Sequence, residues 1–119
     1  MQRRHFLAAA SSLAVASPMA WAQAYPNKPI KLVVPFPPGG GADNLARAVA
    51  PKLGEFLGQA IVIDNKPGAG GNLGAAEVAR TTADGYTLLM ASPPLTISPA
   101  LYAKLPYKSE QIAPVGLLG

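Results

Sequence analysis

Eleven residues constrain this chain more than any others: Val33-Val34-Pro35-Phe36-Pro37-Pro38-Gly39-Gly40-Gly41-Ala42-Asp43. The stretch starts apolar, breaks at prolines and opens into three glycines. Proline fixes φ and removes backbone donors; glycine lets other groups approach the backbone closely. A strand that runs through such a loop into a helix aims unpaired N–H groups and a partial positive charge at one point. That point is a natural seat for an anion. For a single Gly-rich turn, tight packing remains an equal reading.

The mature chain has to be separated from its leader first. Arg3-Arg4 is a basic n-region, Phe6 to Ala16 an apolar h-region, and Ala20-Trp21-Ala22 and Ala22-Gln23-Ala24 are overlapping A-x-A sites. This pattern predicts a secretory signal over residues 1–24, cleaved near Ala22 or Ala24. Arg3-Arg4-His5-Phe6-Leu7 also resembles a twin-arginine signal; the Sec route stays open. The formal charge is +4, from ten Lys+Arg against six Asp+Glu. Without Arg3 and Arg4 it is eight against six, or +2. The six lysines are dispersed and not interleaved with aromatics, so no nucleic-acid footprint is visible. Cys is absent and the single His, His5, lies in the signal. That excludes disulfides, thiolate nucleophiles, Ser-His-Asp catalysis and His- or Cys-ligated metals from the stretch after the signal.

The remainder reads β-loop-α-β-loop-α-β. Ile30 to Val34 is a strand. Leu45, Val49, Leu53, Phe56 and Leu57 recur at helical spacing, with Asp43 as N-cap, Gly58 as C′ residue, and Pro51 kinking or splitting the helix. Ala60 to Asp64 is a second strand, whose Ile61-Val62-Ile63 run suits a sheet covered on both faces. A second Pro/Gly loop leads to a short Ala-rich helix from Leu73 to Thr82. Asp84-Gly85 turns into a third strand, Tyr86 to Ala91. Ser92-Pro93-Pro94 ends it, Ser98-Pro99 opens a short helical turn to Tyr102, and Val115 to Gly119 begins another apolar element. Alternation of this kind predicts an α/β fold with a βαβαβ parallel sheet and right-handed crossovers. Its loops at 35–42, 66–72 and 92–97 fall at one sheet edge, outside the strand carboxyl ends.

Individual side chains carry less. Asp43 reads as a helix cap before a ligand contact, Asp64 and Asp84 as structural, and Glu55 and Glu77 as solvated helix positions. Ser92 is either a ligand donor or a loop-capping hydroxyl. Phe36 either lines a pocket or anchors its loop. The glycines at 68–74 miss the dinucleotide pattern G-x-G-x-x-G by one position, and no phosphate-binding P-loop is present.

Several segments carry a family resemblance. Tyr25-Pro26-x-Lys28-Pro29-Ile30, Val34 to Gly40 with Asp43, Ala46-Arg47, Leu57-Gly58-Gln59, Asn65 to Gly71, and Asp84 to Leu88 together resemble the Bug receptors. These are the TctC-like periplasmic solute-binding components of tripartite tricarboxylate transporters. The resemblance implies a two-lobed type II periplasmic-binding-protein fold, or Venus flytrap, of which this chain is an N-terminal portion. It implies no enzymatic activity, no cofactor and no metal. It implies a small organic carboxylate as ligand and the membrane permease subunits as partners. The implied ligand contacts are Phe36, Pro37, Pro38, Gly39, Gly40, Gly41 and Asp43 in the first loop. Gly68, Ala69, Gly70, Gly71 and Asn72 follow in the second, acting through backbone groups and bridging waters, with Ser92 as a further donor. The chain departs from the family at Lys108, after Leu105-Pro106-Tyr107, and at Gln111-Ile112. Residues 25–119 are then an incomplete first lobe, expected to be marginally stable and to bind weakly alone. The competing readings are an exported Rossmann-like oxidoreductase and a non-functional gene remnant.

Overall fold

The computed structural model describes residues 24–118; the signal segment, apart from Ala24, lies outside the described residues. β1 (Ile30–Val34), β2 (Ile61–Asn65) and β3 (Thr87–Leu89) form a parallel sheet in the order β2-β1-β3. Helices α1 (Gly41–Leu57), α2 (Asn72–Arg80) and α3 (Pro93–Leu101) follow the three strands in turn. The observed fold is α/β, as the alternation predicts.

Register explains the core. Strand side chains alternate between faces. Ile30, Leu32 and Val34 are in register with Ile61, Ile63 and Asn65, so one face presents an aliphatic row that ends at the polar Asn65. Leu32 and Val34 pack there with Ala46 of α1 and Met90. The other face carries Val33 and Leu89 beneath α2, where Ala75 and Ala76 pack with Leu95 and Tyr107. Alanines keep α2 close to the sheet. The N-terminal segment is pinned by aromatics: Tyr25 Oη donates to Gly85 O at 2.6 Å, and the Tyr25 and Tyr86 rings meet edge-on at 5.1 Å. Lys28 Nζ lies 4.4 Å from the centre of the Tyr86 ring.

Five expectations need correction. Asp43 is not the N-cap of α1; Gly40 is, and Asp43 sits two residues inside the helix. Glycines at 39–41 let the helix begin earlier than a side-chain cap would mark. Pro51 does not split α1, which runs on to Gly58 in the left-handed conformation (φ 72°). Pro51 is exposed, so the carbonyl it fails to bond, four residues back, can turn to water. Val62 is 52% exposed, because β2 is an edge strand and α2 is seated over β1 and β3. Ser92-Pro93-Pro94 starts α3 rather than breaking the chain into a loop. Its prolines occupy first-turn positions whose N–H groups would be unpaired anyway, while Ser98 lies mid-helix and donates its hydroxyl to Pro94 O at 2.8 Å. Residues 113–118 form no helix or strand, and Val115 and Leu117 stay exposed. An apolar run becomes a strand only where a partner pairs with it.

Both departures at the Leu105-Pro106-Tyr107 segment are accommodated. Gln111 Oε1 accepts the Lys108 N–H at 2.7 Å and closes a short 3₁₀ turn over Ser109–Gln111. Ile112 packs against the α2 core.

Candidate functional site

Because all three strands are parallel, the turns after them emerge at one edge. Each leads into a helix whose first turn has no side-chain cap: N-cap Gly40 for α1, Gly71 for α2, Ser92 for α3. Three helix dipoles therefore point their positive ends at the carboxyl edge of the sheet. Only α1 and α2 bring first-turn N–H groups there, because α3 begins with Pro93 and Pro94 and its Leu95 N–H already bonds Ser92 O.

The two glycine loops meet. A Cβ added at Gly71, where φ is +94°, would lie 3.3 Å from Phe36 Cζ, 3.5 Å from Leu95 Cδ2 and 3.5 Å from Pro35 Cβ. The first loop, the second loop and α3 thus converge on one glycine, whose left-handed backbone disfavours any side chain. Phe36 is half-buried and packs against the α1 core, which favours the anchoring role; its ring tip also reaches the second loop. Pro37, Pro38, Gly39, Gly40 and Gly41 are exposed, as are Gly68, Ala69 and Gly70. Ala69 has φ 50° and Gly70 φ 64°, within a 3₁₀ turn over Ala69–Gly71.

Asp43 is different in kind. It is 2% exposed, and both carboxylate oxygens are engaged. Oδ2 accepts from Arg47 Nε at 2.8 Å and from the Gly39 N–H at 2.9 Å; Oδ1 accepts from Asn65 Nδ2 at 2.9 Å. The Arg47 guanidinium, the Gly39 amide and Asn65 hold the carboxyl well below the usual carboxylate range. Asp43 is thus buried at the base of the loop with its carboxylate engaged by Gly39, Arg47 and Asn65. Asn72 is also buried, with its Oδ1 accepting from Tyr107 Oη at 3.1 Å. Burial pushes the Tyr107 phenol up. Ser92 Oγ is buried and has no partner among the described residues, so it does not act as the loop-capping hydroxyl.

Sequence reasoning missed the support. Asn65 and Arg47 entered only as motif letters, yet both bond Asp43. Glu77, expected to be solvated, is half-buried with Lys31 Nζ at 3.0 Å and Lys66 Nζ at 3.6 Å. Asp64 joins the same cluster, 3.0 Å from Lys31 Nζ. Asp64 and Glu77 raise the Lys31 pKa. Asp84 caps its own turn by accepting the Tyr86 N–H at 3.0 Å.

Two surface grooves are present among the described residues. One, of about 780 Å³, runs between α1 and β2 past Arg47, Gly54, Gly58 and Ile61; the other, of about 610 Å³, lies beside Asn65, Lys66 and Leu73. Lys66 and Pro67 of the second loop line the smaller groove, whereas the glycines of both loops line neither.

The model for the tripartite tricarboxylate transporter family receptor, TctC, matches residues 45–118. The protein BugT of Bordetella pertussis is 44% identical over 108 residues, covering 88% of this chain and 33% of its own. A structure of R. palustris Rpa4515 with adipate is 49% identical, with a TM-score of 0.53, covering 55% of this chain and 22% of that one. MatC from Rhodopseudomonas palustris with bound malate is 43% identical, with a TM-score of 0.53 and the same coverage. The chain belongs to the TctC receptor family, a family of periplasmic solute-binding proteins, and its sheet is part of a periplasmic-binding-protein lobe. It spans about a third of the length of the curated relatives it matches.

Proposed function

We propose that this chain is the carboxylate-holding wall of an extracytoplasmic solute receptor. Its ligand is a small organic acid, and its partners are the permease subunits of a tripartite transporter. One observation carries the reading: the uncapped N-termini of α1 and α2 gathered in two glycine loops at the carboxyl edge of the parallel sheet. Backbone donors there suit an anion without any cationic side chain. Family members with malate and adipate make dicarboxylates the first candidates. Gly40, Gly41 and Gly68 to Gly70 supply the donors, directly or through ordered water. Gly39, Gly71 and Asn72 shape the loops, with their N–H groups bonded to Asp43 Oδ2, Gly68 O and Ala69 O, and Ser92 adds a hydroxyl from the third strand end. Residues 1–24 act as the export signal, and 25–119 form an incomplete first lobe that a second lobe would close. The chain performs no chemistry on its ligand.

The test is calorimetric titration of the gene product that carries this chain with acetate, malate, adipate and citrate. At least one is expected to bind with a Kd on the order of micromolar or tighter. Binding should be insensitive to added nucleotide. A protein that binds nucleotide or flavin and none of the four acids would contradict the receptor reading.

A further inference from the structure

Asn65 closes β2 and ties the first loop at both ends. Its Nδ2 donates to Phe36 O at 3.1 Å, where the chain enters the loop, and to Asp43 Oδ1 at 2.9 Å, on the helix that follows. Asp43 Oδ2 then holds the Gly39 N–H from below. Arg47 Nε braces the same oxygen, and Arg47 Nη2 reaches Asn65 Oδ1 at 3.5 Å. The loop itself has little to hold it. Its glycines pack no side chains, and the Gly40 N–H to Pro37 O bond is long, at 3.4 Å. Glycine loses more freedom on ordering than any other residue, so a loop of this composition needs an external brace to be preorganised.

We infer that Asn65, Asp43 and Arg47 are positioning residues: by anchoring Gly39 they fix the Gly40 and Gly41 amides in the geometry a ligand carboxylate needs, and set affinity without touching the ligand. This rests on the carboxylate reading above. Asn65 is the key member, because it comes from a different strand and couples the two loops. The next residue, Lys66, donates its N–H to Val34 O at 2.8 Å, so the strand end bearing Asn65 is itself locked to β1.

The test uses the gene product with Asn65→Ala and Asn65→Asp, titrated with malate and adipate, and amide exchange read at Gly39. Asn65→Ala is expected to weaken binding at least about tenfold, mainly through faster release. Gly39 exchange should speed up while the β1 amides stay protected. Asn65→Asp adds a readout that mere packing would not move. Asp43 and Arg47 bond position 65 from α1, and Lys66, Glu77 and Arg80 share the groove beside it. At neutral pH two carboxylates then oppose each other across the clamp. Toward pH 5 they share a proton, a donor returns, and affinity relative to wild type recovers. A ratio independent of pH, or Asn65→Ala binding within twofold of wild type with unchanged Gly39 exchange, overturns the clamp. Should Asn65→Ala not fold, Arg47→Met carries the same test on an exposed side chain. If the wild-type protein binds no acid, the receptor reading fails, and Gly39 exchange alone decides the clamp.

Discussion

Adding one methyl group at Gly74 is expected to unseat α2 from the sheet and lower stability by about 2–3 kcal/mol. An ideal Cβ there would lie 2.7 Å from Pro35 Cβ, 3.1 Å from Pro35 Cα and 3.1 Å from Lys66 O. Two of those three atoms are backbone, and the third belongs to a ring that cannot rotate away. The sign of the effect is informative. Gly74 lies inside α2, where helix propensity alone would make alanine better by about 1 kcal/mol. Propensity and packing therefore predict opposite outcomes for Gly74→Ala. In urea denaturation the midpoint should fall with little change in slope. A rise would show that α2 does not press on the strand-to-loop corner as described. Because α2 begins at Asn72, its displacement should also shift the second loop and weaken ligand binding.

Asp43→Ala is expected to be the most damaging polar truncation. It strips acceptors from Gly39, Arg47 and Asn65 at once, and removing one partner of a buried charged network costs far more than the network itself contributes. The melting temperature should drop by roughly 10 °C. Asp43→Asn keeps the shape and one acceptor, so it should fall between. The pH dependence follows from the lowered pKa of the Asp43 carboxyl. A depressed native pKa means that the stabilisation is fully present above the ordinary value of 3.8 and is lost as pH falls through the native value below it. The wild-type advantage over Asp43→Ala should thus stay level from pH 8 to about 4 and shrink only in stronger acid. A loss beginning near pH 6 would mean that another group controls the difference.

What could be read from the residues, and what could not, divides along a physical line. β1 at Ile30–Val34 and the left-handed stop at Gly58 are local consequences of β-branching and glycine freedom, and both match. The Pro/Gly loops at strand ends are equally local. Asp43 misled because an aspartate before an apolar helical repeat has the same letters whether it caps the helix or enters its first turn. The start at Gly41 depends on the loop being braced, and the brace comes from Asn65, 22 residues further on. Ser92-Pro93 and Ser98-Pro99 are two equivalent helix-start signals six residues apart. Burial of Leu95 and Ser98 against the α2 side of the sheet selects the first. Val62 has the composition of a buried strand but the position of an edge, which only the strand order decides. The Lys31–Glu77 and Tyr107–Asn72 contacts span 46 and 35 residues and leave no short-range trace. The resemblance carried the lobe architecture, which alternation alone did not distinguish from other doubly wound folds.

The central claim is that the glycine loops after β1 and β2 together hold a carboxylate through backbone donors. Titrating the isotopically labelled gene product with malate and then adipate, while following its amide resonances, tests this most directly. The account predicts saturable shifts that are largest at Gly39, Gly40, Gly41 and Gly68 to Asn72, with a smaller response at Ser92. Saturable binding with shifts confined to the groove past Arg47, Gly54, Gly58 and Ile61, and silent glycine amides at both loops, would contradict it.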